Sequence, residues 1–131
     1  MHFIIGGAYQ GKLNCARNTF AVQDNEIFTC SAEHGCTEEN GIEFGARCIN
    51  KIEEFTLWCV RNGRDAAEIF RENRKKWENS VLICMDIFCG VVPLGADMRA
   101  WRDMTGRLCA YLSSEADSVT RMFCGLEQRL K

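Results

Sequence analysis

The apolar positions of this chain follow two rhythms that alternate along its length. Phe3-Ile4-Ile5 is a continuous apolar run that stops at Gly6-Gly7, which predicts a short strand over residues 2–6. Beyond the glycines, Leu13, Ala16, Phe20 and Ala21 fall on or near one face at helical spacing, predicting a helix over 11–21. Gln23-Asp24-Asn25 is a turn signal, and Ile27-Phe28-Thr29-Cys30 reads as a second strand within 26–31. The polar stretch 32–41, with Gly35, Asn40 and three glutamates, reads as a loop.

Helical spacing then returns. Cys48, Ile52, Phe55 and Cys59, with Ile49 and Trp58 beside them, predict a helix over 43–61 that ends at Asn62-Gly63. Ala66, Ile69, Phe70 and Trp77 predict another over 65–78, its basic residues outward. Val81 to Phe88 is nearly all apolar apart from Asp86, the signature of a strand buried on both faces and therefore central and parallel. A loop over 90–95 holds the one proline, Pro93. Met98, Trp101, Met104, Leu108 and Leu112 predict a helix over 97–113, and 119–124 reads as the last strand. Strands alternating with helices make the class α/β, with a mostly parallel sheet and flanking helices. Such sheets bind ligands beyond the carboxyl ends of their strands.

At 131 residues the chain reads as one domain over 1–131, and 47% apolar residues suffice for a core. A formal charge of −2 leaves no electrostatic footprint for nucleic acid, and the basic run Arg71 to Lys76 reads as a solvated helix face. The opening apolar run is too short for a signal-peptide core, and no stretch of about 18 apolar residues could span a bilayer. The expectation is a cytoplasmic protein with no membrane partner. Nine cysteines are scattered without a C-x-x-C pair, so they read as small buried apolar residues rather than a disulfide framework or a zinc site. Only His34 and Cys36 sit close together.

Gly6 to Lys12 has the spacing G-x-x-x-x-G-K between a strand and a helix. Backbone amides in such a loop converge on phosphate, glycines permit close approach, and Lys12 would neutralise the β and γ phosphates. Leu13 stands where a Ser or Thr hydroxyl would touch magnesium. Asp86, near the end of the central strand, could supply a carboxylate to that metal or serve only to order its loop. Asp103 and Arg107, four apart on one helix, suit an ion pair; Arg102 or Arg107 could instead reach a phosphate or a neighbouring subunit. Trp58, Trp77 and Trp101 fall at core spacing.

The run Asp86-Ile87-Phe88-Cys89-Gly90-Val91-Val92-Pro93 is followed by Arg99-Ala100-Trp101-Arg102-Asp103-Met104-Thr105-Gly106-Arg107-Leu108, then Glu115-Ala116-Asp117-Ser118-Val119, then Gly125-Leu126. This order resembles the C-terminal half of the bifunctional adenosylcobinamide kinase/adenosylcobinamide-phosphate guanylyltransferase family of cobalamin biosynthesis. There an acidic strand end is followed by G-[IV]-V-P, an F-R-D-x-x-G-R helix and A-D-x-V. The opening I-x-G-G-x-x-x-G-K is similar as well. The resemblance covers roughly residues 1–32 and 81–131. It implies a P-loop NTPase-like (RecA-like) fold that binds GTP or ATP with Mg2+ and transfers phosphoryl to a hydroxyl, with a corrinoid precursor as the acceptor. By that resemblance Gly6, Gly7, Ala8, Tyr9, Gln10, Gly11, Lys12 and Leu13 form the nucleotide cradle, Lys12 and Asp86 are catalytic, and Asp86 holds the metal. The family's guanylyl-accepting histidine, in an H-x-x-x-R-type segment, has no match in the shortened middle, where Glu33-His34-Gly35-Cys36 stands. The expectation is thus a kinase-like protein without guanylyltransferase activity, or a non-catalytic nucleotide-binding or regulatory derivative, or, more plainly, an α/β domain with no nucleotide affinity that acts through protein contacts. Since family members form oligomers, the resemblance also implies a homo-oligomer.

Overall fold

A computed structural model describes residues 1–33 and 41–131. Its element order is β1 (His2–Gly6), α1 (Lys12–Phe20), a 3-10 turn (Asp24–Glu26), β2 (Ile27–Thr29), β3 (Cys48–Asn50), α2 (Ile52–Arg61), α3 (Ala66–Glu72), α4 (Arg74–Trp77), β4 (Val81–Met85), α5 (Ala96–Glu115), β5 (Ser118–Phe123) and β6 (Leu126–Arg129). The six strands form one sheet in the order β2-β3-β4-β1-β5-β6, parallel except for the antiparallel β5–β6 pair.

β1 and β4 lie side by side at the centre, from His2↔Val81 to Gly6↔Met85, and both are covered on both faces. Phe3, Leu82 and Cys84 enter a core built with Ile52 and Phe55 of α2, Ile69 and Phe70 of α3, and Leu108 and Leu112 of α5. Ile4, Val81 and Ile83 face the other way, onto Cys15 and Ala16 of α1. The near-continuous apolar sequence of the central strands follows from this double burial. The core holds its polar groups in pairs: the Thr56 and Thr105 hydroxyls meet at 2.6 Å between α2 and α5, and Trp77 Nε1 donates to the Phe70 carbonyl at 2.8 Å.

Four sequence expectations change. The helix expected over 43–61 is strand and helix in succession. Cys48, Ile49 and Asn50 are buried and pair with β2 and β4, and α2 begins only at Ile52. Cys48 lies by coincidence in helical register with Ile52, Phe55 and Cys59, and three residues are too few to show a strand's alternation. The helix expected over 65–78 breaks at Asn73, whose side-chain amide donates to the Ile69 carbonyl at 2.9 Å. The strand expected over 81–88 stops at Met85, where Asp86 begins an ordered turn. Finally, 119–124 is not the last strand: a turn at Cys124-Gly125 leads into β6. Six cysteines (Cys15, Cys30, Cys48, Cys59, Cys84 and Cys109) are buried, while Cys89 and Cys124 are exposed. His34, Cys36 and most of the 32–41 loop lie outside the described residues.

Gly6 marks where the sheet is tightest. A Cβ there would stand 2.6 Å from the Met122 carbonyl oxygen of β5, with no flexible atom able to yield. A Cβ at Gly7 would meet only the Gln10 Cγ, at 3.5 Å. Urea denaturation is expected to show Gly6→Ala destabilised by about 1–3 kcal/mol, and Gly7→Ala changed by less than about 1 kcal/mol. Equal effects at the two positions would contradict this account of the β1–β5 contact.

Candidate functional site

The carboxyl ends of β1, β3 and β4 open into one cleft of about 700 Å³. Residues 8–11 form one wall, and Lys12, Leu13, Asn14 and Arg17 of α1 continue it. Asn50 and Lys51 at the end of β3, with Glu53 and Glu54 of α2, form the opposite wall, and Met85 closes the floor. The lining holds three cations, Lys12, Arg17 and Lys51, and two carboxylates, Glu53 and Glu54, with Arg17 already paired to Asp24 at 2.8 Å.

The loop leaving β1 is curled by left-handed residues. Tyr9 has φ 57° and Gly11 has φ 89°. Gly11 is the N-cap of α1, and no side chain caps that helix end. Lys12 folds back over the loop, its Nζ donating to the Gly6 carbonyl at 2.9 Å and the Gly7 carbonyl at 2.6 Å. Ala8 and Tyr9 are exposed at the rim, Tyr9 completely. The Gln10 side chain turns outward, its Oε1 accepting the Cys124 N–H and tying the loop to the β5–β6 turn. Gly6 to Leu13 are thus brought together, and Ala8 through Leu13 line the cleft directly.

Four non-glycine residues have positive φ among the described residues: Tyr9, Ala21, Lys51 and Cys124. Ala21 ends a helix and Cys124 sits in a hairpin turn, both ordinary places for it. Tyr9 and Lys51 stand on opposite walls of the cleft. Strained backbone of this kind gathers where a site fixes its geometry.

Glu53 is the residue that sequence reasoning missed. It is 4% exposed, yet it lines the cleft. Its Oε2 accepts the Met85 N–H at 2.8 Å, joining the start of α2 to the end of β4. Trp101 Nε1 of α5 donates to the Glu53 carbonyl at 2.7 Å and fixes the same turn from behind. Burial raises the Glu53 carboxyl above its ordinary value, opposed by the Met85 N–H and by the Lys12 charge. Burial likewise lowers the Lys12 ammonium, opposed by Glu53 first and then by Cys84 and Asp86. Asn50, beside it, is buried and donates to the Thr29 hydroxyl at 3.4 Å. Reading 43–61 as one helix left these residues without a shared strand end. A break at Asn50-Lys51 was the signal that could have placed them.

Asp86 makes hydrogen bonds within the turn that it begins. Its own N–H donates to the Gly6 carbonyl at 3.0 Å, Oδ1 accepts the Phe88 N–H at 3.1 Å, and Oδ2 accepts the Cys89 thiol at 3.1 Å. Arg102 is held likewise, donating to the Val91 carbonyl at 2.7 Å and to the Phe88 carbonyl. Arg107 pairs with Asp103 at 3.0 Å and reaches Asp65 at 3.6 Å. Trp77 is buried in the core, Trp58 stacks on Phe55, and Trp101 packs against α2. No group of three or more His, Cys, Asp or Glu side chains arranged for a metal occurs among the described residues, and no helix there is long and apolar enough to cross a membrane.

A carboxyl raised by folding favours the protonated state. The stability it lends is complete below its ordinary value of 4.5 and is lost as pH rises through the elevated folded value. The melting temperature of Glu53→Gln, which keeps an acceptor for Met85, is therefore expected to gain on the wild type as pH rises from 4.5 toward neutrality. Parallel melting curves across that window would show that Glu53 carries no such penalty. Comparison with protein-family models and with curated proteins finds no match to the chain.

Proposed function

We propose that this chain binds the triphosphate of GTP or ATP, with Mg2+, in the cleft at the end of β1, as a P-loop protein of the adenosylcobinamide kinase kind. The observation that carries this reading is the loop itself. Left-handed residues at Tyr9 and Gly11 curl it, Lys12 lies over it, and the uncapped start of α1 faces an open cleft. Uncapped helix N–H groups and a lysine together favour an anion. The strand order supports a RecA-like relationship, because β4 separates the loop-bearing β1 from β3.

Phosphoryl transfer from such a site rests on positioning and charge. The bond between the β,γ-bridging oxygen and the γ phosphorus breaks, and the acceptor oxygen bonds to that phosphorus. The acceptor proton needs a carboxylate. Glu53, raised by burial and facing the cleft, suits that role better than Asp86, whose two oxygens are already hydrogen-bonded. A magnesium ion keeps several waters and needs only one or two carboxylates, so Asp86, beside the cleft, would hold it through water and leave Glu53 free for the acceptor proton. The acceptor hydroxyl suggested by the resemblance belongs to a corrinoid precursor, and the compartment it implies is the cytoplasm.

A second reading, nucleotide binding without turnover, is favoured by Leu13, which puts an apolar side chain on the cleft wall where a hydroxyl would meet magnesium. Calorimetry with GTP and ATP plus magnesium is expected to give saturable heat that Lys12→Ala weakens at least about tenfold, since a phosphate-bound ammonium contributes about 1.4 kcal/mol or more. No heat with either nucleotide would end both readings. Steady-state turnover of nucleotide by the wild type would refute binding without turnover, whereas turnover only after Leu13→Ser or Leu13→Thr would select the binding protein.

A further inference from the structure

β6 ends the strand order, and no strand lies beyond it among the described residues. A two-residue turn joins it to β5, with Cys124 at φ 50° and Gly125 at φ 77°. The pair flanking such a turn, Phe123↔Leu126, is hydrogen-bonded, and bonded and non-bonded pairs alternate from there. The Leu130 N–H accordingly donates to the Val119 carbonyl at 2.8 Å. Leu126, Gln128 and Leu130 therefore aim their peptide groups at β5. Glu127 and Arg129 aim theirs at the open edge.

All four residues of β6 are exposed. Leu126 and Leu130 are 71% and 57% exposed, and Phe123, across from Leu126, is 59% exposed. Around Gln128 the sequence is self-complementary: Leu126 and Leu130 flank it at two residues, and Glu127 and Arg129 at one. Exposed edges are usually protected by charge, most often lysine. Here the two charges are opposite and symmetrically placed.

We propose that two copies of this chain pair through β6, antiparallel about a two-fold axis at Gln128. In that register Glu127 faces the partner's Arg129, and Arg129 faces the partner's Glu127. These two pairs are the ones whose peptide groups already point outward, so the register and the hydrogen-bond alternation agree, and four main-chain hydrogen bonds form. Leu126 meets the partner's Leu130 on the opposite face, extending the strip that begins at Phe123. A one-residue shift would set Glu127 against Gln128 and turn inward-facing peptide groups to the seam. An interface this short is smaller than that of a permanent dimer, so association is reversible and concentration-dependent. It does not depend on the nucleotide reading.

Sedimentation velocity of the whole chain over a concentration series tests the pairing. Wild type is expected to pass from monomer to dimer. Glu127→Arg and Arg129→Glu each place like charges at both seams and are expected to raise the dimer dissociation constant at least about tenfold. An equimolar mixture of the two variants restores opposite charges at both seams, as does the double variant Glu127→Arg/Arg129→Glu, and both are expected to dimerise as wild type does. A wild type that stays monomeric throughout would overturn the proposal. So would single variants that dimerise unchanged, or a mixture that associates no better than its components.

Discussion

β1 and β4 are buried on both faces, so polar side chains at the centre of the sheet have to be carried past their ends. Phe3 and Ile4 point into opposite cores, as do Leu82 and Ile83, so neither strand can hold a charge along its length. The chemistry therefore collects at one edge, where β1 gives way to the glycine loop, β3 to α2 and β4 to Asp86. Gly6 belongs to the same constraint. It is the last position at which β1 still touches β5, and the Met122 carbonyl leaves no room there for a side chain. The turn that follows is free to curl because Tyr9 and Gly11 have left the extended region.

Lys12 and Glu53 meet at that edge from opposite walls, and burial pushes both toward their neutral forms. The Glu53 charge is the first to oppose that push on the ammonium, and the Lys12 charge opposes it on the carboxyl after two backbone hydrogen bonds, yet the ammonium directs its own hydrogen bonds to the Gly6 and Gly7 carbonyls. A lysine held this way is positioned but not neutralised by a direct carboxylate bond. An anion entering the cleft could replace the two carbonyl contacts without breaking an ion pair, which keeps the cost of binding low. Glu53 is held as firmly, by the Met85 N–H in front and by Trp101 behind its backbone.

Much of this was legible in the residues alone, for reasons that differ from element to element. Val81 to Met85 could only be a central strand, because a continuous apolar run needs two covers. The glycine loop was legible because its spacing sits between a strand and an amphipathic segment. β3 was hidden because three buried residues cannot show a period of two, and Cys48 fell in step with the helix that follows. That one misreading removed Glu53 from view, since a glutamate inside a long amphipathic helix looks like solvent-facing charge. β6 was hidden for the opposite reason: every one of its residues is exposed, so no apolar alternation marks it.

The motifs that carry the resemblance to the adenosylcobinamide kinase family have a structural part here. Asp86 orders the Phe88 and Cys89 turn, Arg102 clasps the Phe88 and Val91 carbonyls, Arg99 clasps those of Pro93 and Leu94, and Asp103 pairs with Arg107. Together they hold the 86–95 loop against the start of α5, beside the cleft but not inside it. A likeness in this part of the chain therefore speaks for how the neighbouring scaffold is built. Asn50, Lys51, Glu53 and Glu54, which line the cleft itself, come from the stretch that the resemblance does not cover. On the reading proposed above, a nucleotide would be held by the part that is similar, and its acceptor by the part that is not. On that reading the acceptor is the feature on which this chain and the family it resembles are most free to differ.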